Sequence, residues 1–298
     1  MVSIVAEIGC NHKGDLSIAK EMISVAAKVC KVDVAKFQKR CNRELLSPQE
    51  YASPHPVPEN AYGSSYGLHR EALEFSLDQH ADLKQYCELE GISYTTSVWD
   101  LTSAKEICTL NPDFIKIASA TNLHMDLHRY LCENFANKIH ISVGMTTLDE
   151  VERIVALYED YRRAKDVVLY ACTSGYPVSF QDVCLLEIER LRTLYEDRVA
   201  AIGFSGHHLG IAVDLAAVTL GAAWVERHFT LDRTWKGTDH AASLEPEGMR
   251  RLARDIRAVM NSMSFKPTEI LDVELVQRRK LKWMSEETGP LRVVQQQA

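Results

Sequence analysis

The chain has 298 residues, of which 46% are hydrophobic, and it carries a formal net charge of −7. This length suits one α/β barrel with a short tail, and the hydrophobic share is enough for a large core. Acidic and basic residues are interspersed without a basic block, which argues against nucleic acid and anionic membranes as partners. No apolar run is long enough to span a bilayer.

The cysteines indicate a reducing compartment. They form no CxxC pair and no regular framework, and several lie inside apolar runs, where a free thiol packs as a small hydrophobic group. No signal-peptide pattern is seen at the start of the sequence. We therefore expect a cytoplasmic protein without a thiolate metal site. The eight cysteines are Cys10, Cys30, Cys41, Cys87, Cys108, Cys132, Cys172 and Cys184.

Short apolar segments alternate with helical patterns along the chain. In order, strands are predicted at residues 3–9, 32–37, 92–97, 114–119, 139–144, 167–172, 201–204 and 224–225. Helices are predicted at residues 18–31, 77–90, 103–110, 126–135, 147–163, 183–195, 211–220 and 247–263. Eight strands that alternate with helices predict a (β/α)8 barrel, a TIM barrel, over residues 1–265. Residues 266–298 are predicted to form a C-terminal tail that is helical at 273–283 and frayed at Gln295–Gln297.

A long polar segment, residues 39–75, separates the second predicted strand from the next long helix. It contains four prolines and a glycine- and serine-rich run, and it is interpreted as a loop. A loop of this length inside a compact domain is usually functional. We expect it to form a lid or a wall of the substrate site.

Two histidine-bearing loops follow the last two predicted strands. His207 and His208 come after the seventh strand, and Glu226 and His228 stand at the end of the eighth. Because parallel strands joined by a helix have their carboxyl ends on the same side of a sheet, one of the first two histidines should lie near Glu226 and His228. Two imidazoles and a carboxylate suit a divalent metal such as manganese, zinc or iron.

The other strand ends carry lysines and hydroxyl groups. Lysines with hydroxyl donors can bind phosphate and carboxylate groups in a barrel that has no P-loop. These residues predict metal-assisted chemistry on a small anionic substrate, with a phosphorylated one favoured. The strand-end set is Glu7, Lys36, Gln38, Ser97, Lys116, Ser119, Ser142, Ser174, Tyr176, Ser205, His207, Glu226 and His228.

Six motifs resemble the sialic acid synthase family. They occupy residues 5–12, 35–38, 114–119, 202–207, 225–230 and 236–246, and the resemblance extends in order from about residue 4 to residue 256. Residues 66–67, 73–76 and 235–237 are most similar to the animal-type branch, which uses a 6-phosphorylated sugar.

The resemblance implies a reaction and a distribution of roles. The family condenses phosphoenolpyruvate with the aldehyde of an N-acylmannosamine-type sugar, with or without a 6-phosphate, and releases phosphate and a nonulosonic acid. His207 and His228 would hold the metal, most often Mn2+, with Mg2+ or Co2+ as alternatives. Phosphoenolpyruvate would be bound by Lys36, Ser97, Lys116, Ser119, Ser142, Ser174 and Ser205. The catalytic set would be Glu7, Tyr176 and Asp239, and the sugar would also contact Gln38 and Glu226.

The resemblance also implies one difference from relatives. In them a C-terminal antifreeze-like domain crosses to the partner subunit and contributes an arginine to the acyl group of the sugar. We expect this chain to lack that domain. The chain could still form a homodimer, but the partner subunit would not contribute that arginine. The acyl group would then be recognised differently or be absent, as in a deaminated nonulosonic acid made from mannose 6-phosphate.

Three other functions remain as alternatives. A related synthase could use arabinose 5-phosphate or erythrose 4-phosphate, as in the 3-deoxy-octulosonate 8-phosphate type. A barrel without activity could bind sugar phosphates as a sensor, but such a protein would be expected to lose its metal histidines and its two lysines. A hydrolytic metal barrel usually has more metal-binding carboxylates or a bridging lysine.

Overall fold

The computed structural model describes residues 2–283 of the chain. Within these residues eight parallel strands form one closed barrel in sequence order. The strands are β1 (Ser3–Gly9), β2 (Val34–Lys39), β3 (Ser93–Val98), β4 (Phe114–Ile117), β5 (Lys138–Ser142), β6 (Val167–Cys172), β7 (Ala201–Gly206) and β8 (Trp224–His228). Hydrogen bonds between β1 and β8 close the barrel. The predicted (β/α)8 fold is confirmed.

Helices follow the strands along the chain. They are α1 (Leu16–Val25), α2 (Asn42–Leu45), α3 (Pro48–Ala52), α4 (Tyr66–Ala72), α5 (Leu77–Glu90), α6 (Leu101–Leu110), α7 (Met125–Asn134), α8 (Leu148–Asp160), α9 (Glu187–Tyr195), α10 (Ala212–Thr219), α11 (Pro246–Ser262) and α12 (Asp272–Leu281). Thr147 and Glu150 form a reciprocal capping box that begins α8. Gly91, with φ of 70°, ends α5 in the left-handed conformation that favours glycine.

The segment from residue 39 to residue 75 is not a continuous loop, and this part of the prediction is wrong. It contains α2, α3 and α4, each of four to seven residues. Ser47 and Glu50 cap α3 reciprocally, and the Ser65 side chain accepts a hydrogen bond from the backbone of α4. Helices this short bury too little apolar surface to produce a periodic pattern, so the sequence predicted only a polar connection.

The strands alternate between two faces, and this alternation positions the polar side chains. Outward residues such as Ile4, Ala6 and Ile8 pack against the helices in the hydrophobic core. Inward residues of the same strands point into the barrel, and Glu7, Lys36 and Lys116 are buried there. Because successive side chains of a strand point to opposite faces, one strand supplies both core packing and polar lining.

Aromatic side chains fill the amino-terminal end of the barrel interior. The Phe114 and His140 rings are stacked with centroids 3.8 Å apart, and Trp224 packs edge-on against both. The Nδ1 atom of His140 lies 2.9 Å from the Tyr170 hydroxyl oxygen. This packed layer fills the barrel interior below the polar side chains at the carboxyl ends of the strands.

The chain divides into two compact units, Met1–Met260 and Asn261–Ala298. The first contains the barrel. The second contains α12, which agrees with the predicted helix at 273–283, whereas the predicted frayed residues 295–297 lie outside the described part of the chain. No helix among residues 2–283 is long and apolar enough to cross a membrane.

Candidate active site

A cavity of about 390 Å³ opens at the carboxyl ends of the barrel strands. All fourteen residues that the sequence analysis assigned to a site line this cavity. They are Glu7, Lys36, Gln38, Ser97, Lys116, Ser119, Ser142, Ser174, Tyr176, Ser205, His207, Glu226, His228 and Asp239. They come from seven of the eight strands and from the loops that follow β4, β6, β7 and β8, so closure of the barrel brings them together.

Lys36 lies at the centre of a buried polar cluster. Its Nζ atom lies 2.6 Å from Glu7 Oε2 and donates a hydrogen bond to Ser97 Oγ at 2.9 Å. Gln38 donates to the other oxygen of Glu7 at 2.7 Å, which fixes the orientation of that carboxylate. The inward positions of β1, β2 and β3 thus form one connected network.

Glu226 connects this network to the opposite side of the barrel. Its Oε1 atom accepts hydrogen bonds from Lys116 Nζ at 2.6 Å and from Ser205 Oγ at 3.2 Å, and it lies 3.6 Å from Lys36 Nζ. The sequence analysis assigned Glu226 to the sugar and the two lysines to phosphoenolpyruvate. The carboxylate lies between those lysines, and its Oε2 atom has no protein partner among the described residues.

The charges of this cluster are interdependent. Burial opposes ionisation of Glu226, but Lys116 and Lys36 outweigh burial and lower its pKa to about 2. Burial likewise opposes the charge of Lys36, yet Glu226 and Glu7 raise its pKa. Burial and the neighbouring Lys36 lower the pKa of Lys116. Glu226 opposes this shift but does not outweigh it, because two ammonium groups share its carboxylate. The four charges balance, so an anionic ligand would compete with the carboxylates for the lysines.

His207 and His228 face one another on the other side of the cavity, with ring centroids 5.4 Å apart. His207 Nδ1 hydrogen-bonds to the Thr173 carbonyl oxygen at 2.9 Å, which leaves Nε2 as the unprotonated nitrogen of a neutral ring. Burial, followed by the neighbouring His228, lowers the pKa of His207 to about 3. A ring held neutral in one tautomer is suited to metal binding.

Tyr176 and Asp239 surround this pair. The half-exposed Tyr176 ring packs on His207 with centroids 4.3 Å apart and edge-on against His228. Asp239 Oδ2 lies 3.8 Å from His228 Nδ1, and that nitrogen is buried without a hydrogen-bond partner among the described residues. Among residues 2–283, no group of three or more histidine, cysteine, aspartate or glutamate side chains is arranged to hold a metal ion.

His208 is not part of the cavity, and the structure thus resolves which of the two adjacent histidines faces it. His208 packs outside the barrel, where its Nε2 atom lies 3.2 Å from Asp214 and 3.0 Å from Arg227. Arg227 also donates to backbone carbonyl oxygens of His208 and Gly210. This fully buried group secures the loop that carries His207.

The sequence analysis did not single out several residues that line the cavity. Chief among them are Arg40, His69, Arg70 and Trp99. Arg40, His69 and Arg70 belong to the segment predicted to form a substrate wall, and Trp99 follows β3 directly. The basic residues of that segment were a signal that could have identified them.

A closed barrel with lysines, carboxylates and a histidine pair in one cavity at its strand ends defines an α/β-barrel enzyme that binds a small anionic substrate. The model of the NeuB family matches residues 22–267, and the chain belongs to this family. The resemblance to sialic acid synthases that was based on sequence motifs is thereby confirmed.

The most informative relatives are synthases. Human N-acetylneuraminate-9-phosphate synthase is 39% identical over 286 residues, covering 93% of this chain and 76% of the human protein. The N,N'-diacetyllegionaminic acid synthase of Legionella pneumophila is 33% identical, with 89% and 75% covered. The N-acetylneuraminic acid synthetase of Leptospira borgpetersenii, solved with citrate, is similar with a TM-score of 0.78 and 26% identity over 94% of this chain and 92% of that one.

Proposed function

We propose that the protein condenses phosphoenolpyruvate with an N-acylmannosamine-type sugar to give a nonulosonic acid and phosphate. The observation that carries this proposal is the cavity itself. It combines a lysine–carboxylate cluster suited to an anionic substrate with a histidine pair suited to a metal ion, in a chain related to nonulosonic acid synthases. A synthase that uses arabinose 5-phosphate or erythrose 4-phosphate stays the alternative. A 3-deoxy-D-arabino-heptulosonate 7-phosphate synthase from Thermotoga maritima is 12% identical to this chain, and this similarity concerns the fold alone.

The two lysines and the serines would bind phosphoenolpyruvate. Lys36 and Lys116 are buried cations at the cavity floor, and Ser97 and Ser205 already belong to their hydrogen-bond network. Ser119, Ser142 and Ser174 supply further hydroxyl donors to the same cavity. Charge-assisted hydrogen bonds from such groups are stronger than those between neutral groups, which suits a phosphate and a carboxylate.

His207 and His228 would hold a divalent metal ion, for which we propose Mn2+. The neutral tautomer of His207 and the orphaned Nδ1 atom of His228 fit a metal with two protein ligands. When bound, the ion would polarise the sugar aldehyde as a Lewis acid. Asp239 and Tyr176 lie beside the pair and would position the sugar, together with Gln38 and Glu226.

The reaction balances without a redox partner. C3 of phosphoenolpyruvate forms a bond to the aldehyde carbon, whose C=O π bond breaks while the oxygen takes a proton. A water molecule adds to C2 and releases a proton. The C2–O bond to phosphate then breaks and leaves the 2-keto acid. Glu7, whose carboxylate is held by Lys36 and Gln38, is placed to orient that water or to take its proton.

We further propose that residues 1–265 form the catalytic domain and residues 266–298 a tail, and that the protein acts in the cytoplasm as a homodimer. All eight cysteines are free thiols, which supports a reducing compartment.

The test is phosphate release from phosphoenolpyruvate with Mn2+ across a panel of sugars. The panel contains N-acetylmannosamine, its 6-phosphate, mannose 6-phosphate, arabinose 5-phosphate and a control without sugar. Release with a mannose-type sugar alone supports the proposal. Release with arabinose 5-phosphate contradicts it, and so does the absence of release with every sugar in the panel.

A further inference from the structure

Two arginines line the cavity on the side of β2 and β3, and the proposed roles use neither of them. Arg40 directly follows β2, and Arg70 lies on α4. Both guanidinium groups face the same indole, since their central carbons lie 5.3 Å and 5.6 Å from the ring centroid of Trp99. Two cations therefore share one wall of the site.

Arg40 is neutralised within the protein. Its Nε atom lies 2.5 Å from Glu74 Oε1, and one terminal nitrogen donates to Cys10 Sγ at 2.6 Å. The same carboxylate accepts the backbone N–H of Arg40, which holds the side chain and the backbone together. Arg40 thus has its counter-ion and needs no ligand.

Arg70 has no counter-ion among residues 2–283. No carboxylate of these residues lies within ion-pair distance of it, and its buried Nε atom has no hydrogen-bond partner among them. Ring contacts hold it instead: its guanidinium carbon lies 5.6 Å from the Trp99 centroid and 5.7 Å from that of Tyr66. Contacts to ring faces leave the N–H donors at the edge of the guanidinium free.

An unpaired cation is unfavourable in this position. Burial, and after it the neighbouring Arg40, lowers the pKa of Arg70, although the group stays charged at neutral pH. An anion with several acceptor oxygens would relieve this cost, and a phosphate matches the planar donor fork of arginine.

Phosphoenolpyruvate is not the anion that this position suits. It has two anionic groups, and the floor of the cavity already offers two lysines and their hydroxyl partners to them. Trp99, which holds Arg70, lies two residues beyond Ser97, the hydrogen-bond partner of Lys36. Two strand residues correspond to about 6–7 Å, so Arg70 stands nearer the mouth than the lysines do. A third anionic group must come from the other substrate.

We propose that Arg70 binds the phosphate of a sugar 6-phosphate, so that the protein selects the phosphorylated form of its mannose-type substrate. This inference rests on the proposed function. The aldehyde end of the sugar would lie at His207 and His228, on the β7–β8 side. The opposite end would reach the β2–β3 side, where Trp99 and Tyr66 hold the guanidinium.

The test compares Arg70→Gln with Arg70→Lys, and uses Arg43→Gln as the matched control. Arg43 is an exposed arginine of α2 that contacts Tyr51 and does not line the cavity. For Arg70→Gln we expect KM to rise about 10- to 100-fold for N-acetylmannosamine 6-phosphate and for mannose 6-phosphate. KM for phosphoenolpyruvate should change less than about 2-fold, and KM for N-acetylmannosamine should not rise. Arg70→Lys should recover part of the loss, and Arg43→Gln should behave as the parent protein.

A binding measurement separates this inference from the proposed function. Without phosphoenolpyruvate and metal, N-acetylmannosamine 6-phosphate should raise the melting temperature of the parent protein, and this shift should be lost in Arg70→Gln. An unchanged shift in the variant would overturn the inference. So would an equal rise of KM for phosphoenolpyruvate, or a rise of KM for the acetylated sugars that mannose 6-phosphate does not show. An inactive parent protein would defeat the proposed function alone, because the melting shift would still decide the role of Arg70.

Discussion

The Nζ atom of Lys116 lies 2.6 Å from the Oε1 atom of Glu226, although 110 residues separate them along the chain. Both side chains are buried inside the barrel, and Lys36 shares the same carboxylate. This arrangement places one carboxylate between two lysines in a site with little solvent. A substrate anion that binds these two lysines must therefore either displace Glu226 or bind beside it.

Replacing Lys116 by methionine should weaken the binding of phosphoenolpyruvate. The change removes one ammonium donor and keeps the length of the side chain. Loss of one hydrogen bond to a charged group costs about 1.5–3 kcal/mol, so KM for phosphoenolpyruvate should rise about 10- to 100-fold. The matched control is Lys39→Met, because Lys39 pairs with Glu106 outside the cavity. Steady-state kinetics with each substrate varied in turn would check this, and an equal rise of KM for the sugar would contradict the placement of Lys116.

Replacing His207 by alanine should abolish metal-dependent turnover and leave the barrel folded. The variant loses one of two protein ligands, and the affinity for Mn2+ should fall at least about 100-fold, since losing even an outer partner of a ligand costs 10- to 100-fold. Titration calorimetry and circular dichroism would measure the two effects. The adjacent His208 provides the control: His208→Gln should lower stability, because it disturbs Arg227 and Asp214, but should keep metal affinity. Similar metal affinities in the parent protein and in His207→Ala would refute the ligand assignment.

Replacing Glu226 by glutamine should destabilise the protein in the absence of ligands. Lys36 and Lys116 would then lie close together with only Glu7 to balance them, and breaking a buried ion pair in this way costs about 3–5 kcal/mol. Inorganic phosphate should restore more of the melting temperature in the variant than in the parent protein, because it replaces the lost negative charge. Glu247→Gln serves as the control, since Glu247 pairs with Arg250 and Arg251 on the surface and its loss should change the free energy of unfolding little. Equal melting temperatures for both variants would contradict the bridging role of Glu226.

A buried histidine that does not line the cavity should make the protein less stable in mild acid. His128 hydrogen-bonds to the Tyr158 hydroxyl and to the Asn122 carbonyl oxygen, and burial lowers its pKa to about 4. The folded state therefore takes up this proton less readily than the unfolded state, whose histidine has a pKa of about 6.5. The contribution to stability is complete above pH 6.5 and falls by about 3 kcal/mol as the pH drops to 4.

Denaturant unfolding between pH 7 and pH 4 would measure this loss in the parent protein and in His128→Gln. Glutamine does not titrate, so the variant should show a shallower dependence on pH in that window. His124→Asn is the control, because His124 caps α7 and asparagine is a favourable residue at a helix N-cap. If the two variants had the same slope as the parent protein, His128 would not be the group responsible.

The sequence by itself determined the barrel and most of the candidate site. Alternation along a strand fixes which side chains point inward, so Lys36, Lys116 and Glu226 could be assigned to the interior before their neighbours were known. The motifs around the ends of five strands and in the loop after the last strand then identified the family, because these positions carry the chemistry.

The tertiary structure decided which of these residues touch. Closure of the barrel places Glu226 between two lysines from β2 and β4, a contact that the sequence did not predict, and its role at the sugar stays a prediction. The position of His207 and His208 after the seventh strand does not by itself decide which of them faces the site, and the buried contacts of His208 with Arg227 decide it. Arg70 was not assigned to the site from the sequence, because it lies on a short helix without an apolar period. Its position depends on the Trp99 and Tyr66 rings, which no local pattern brings together.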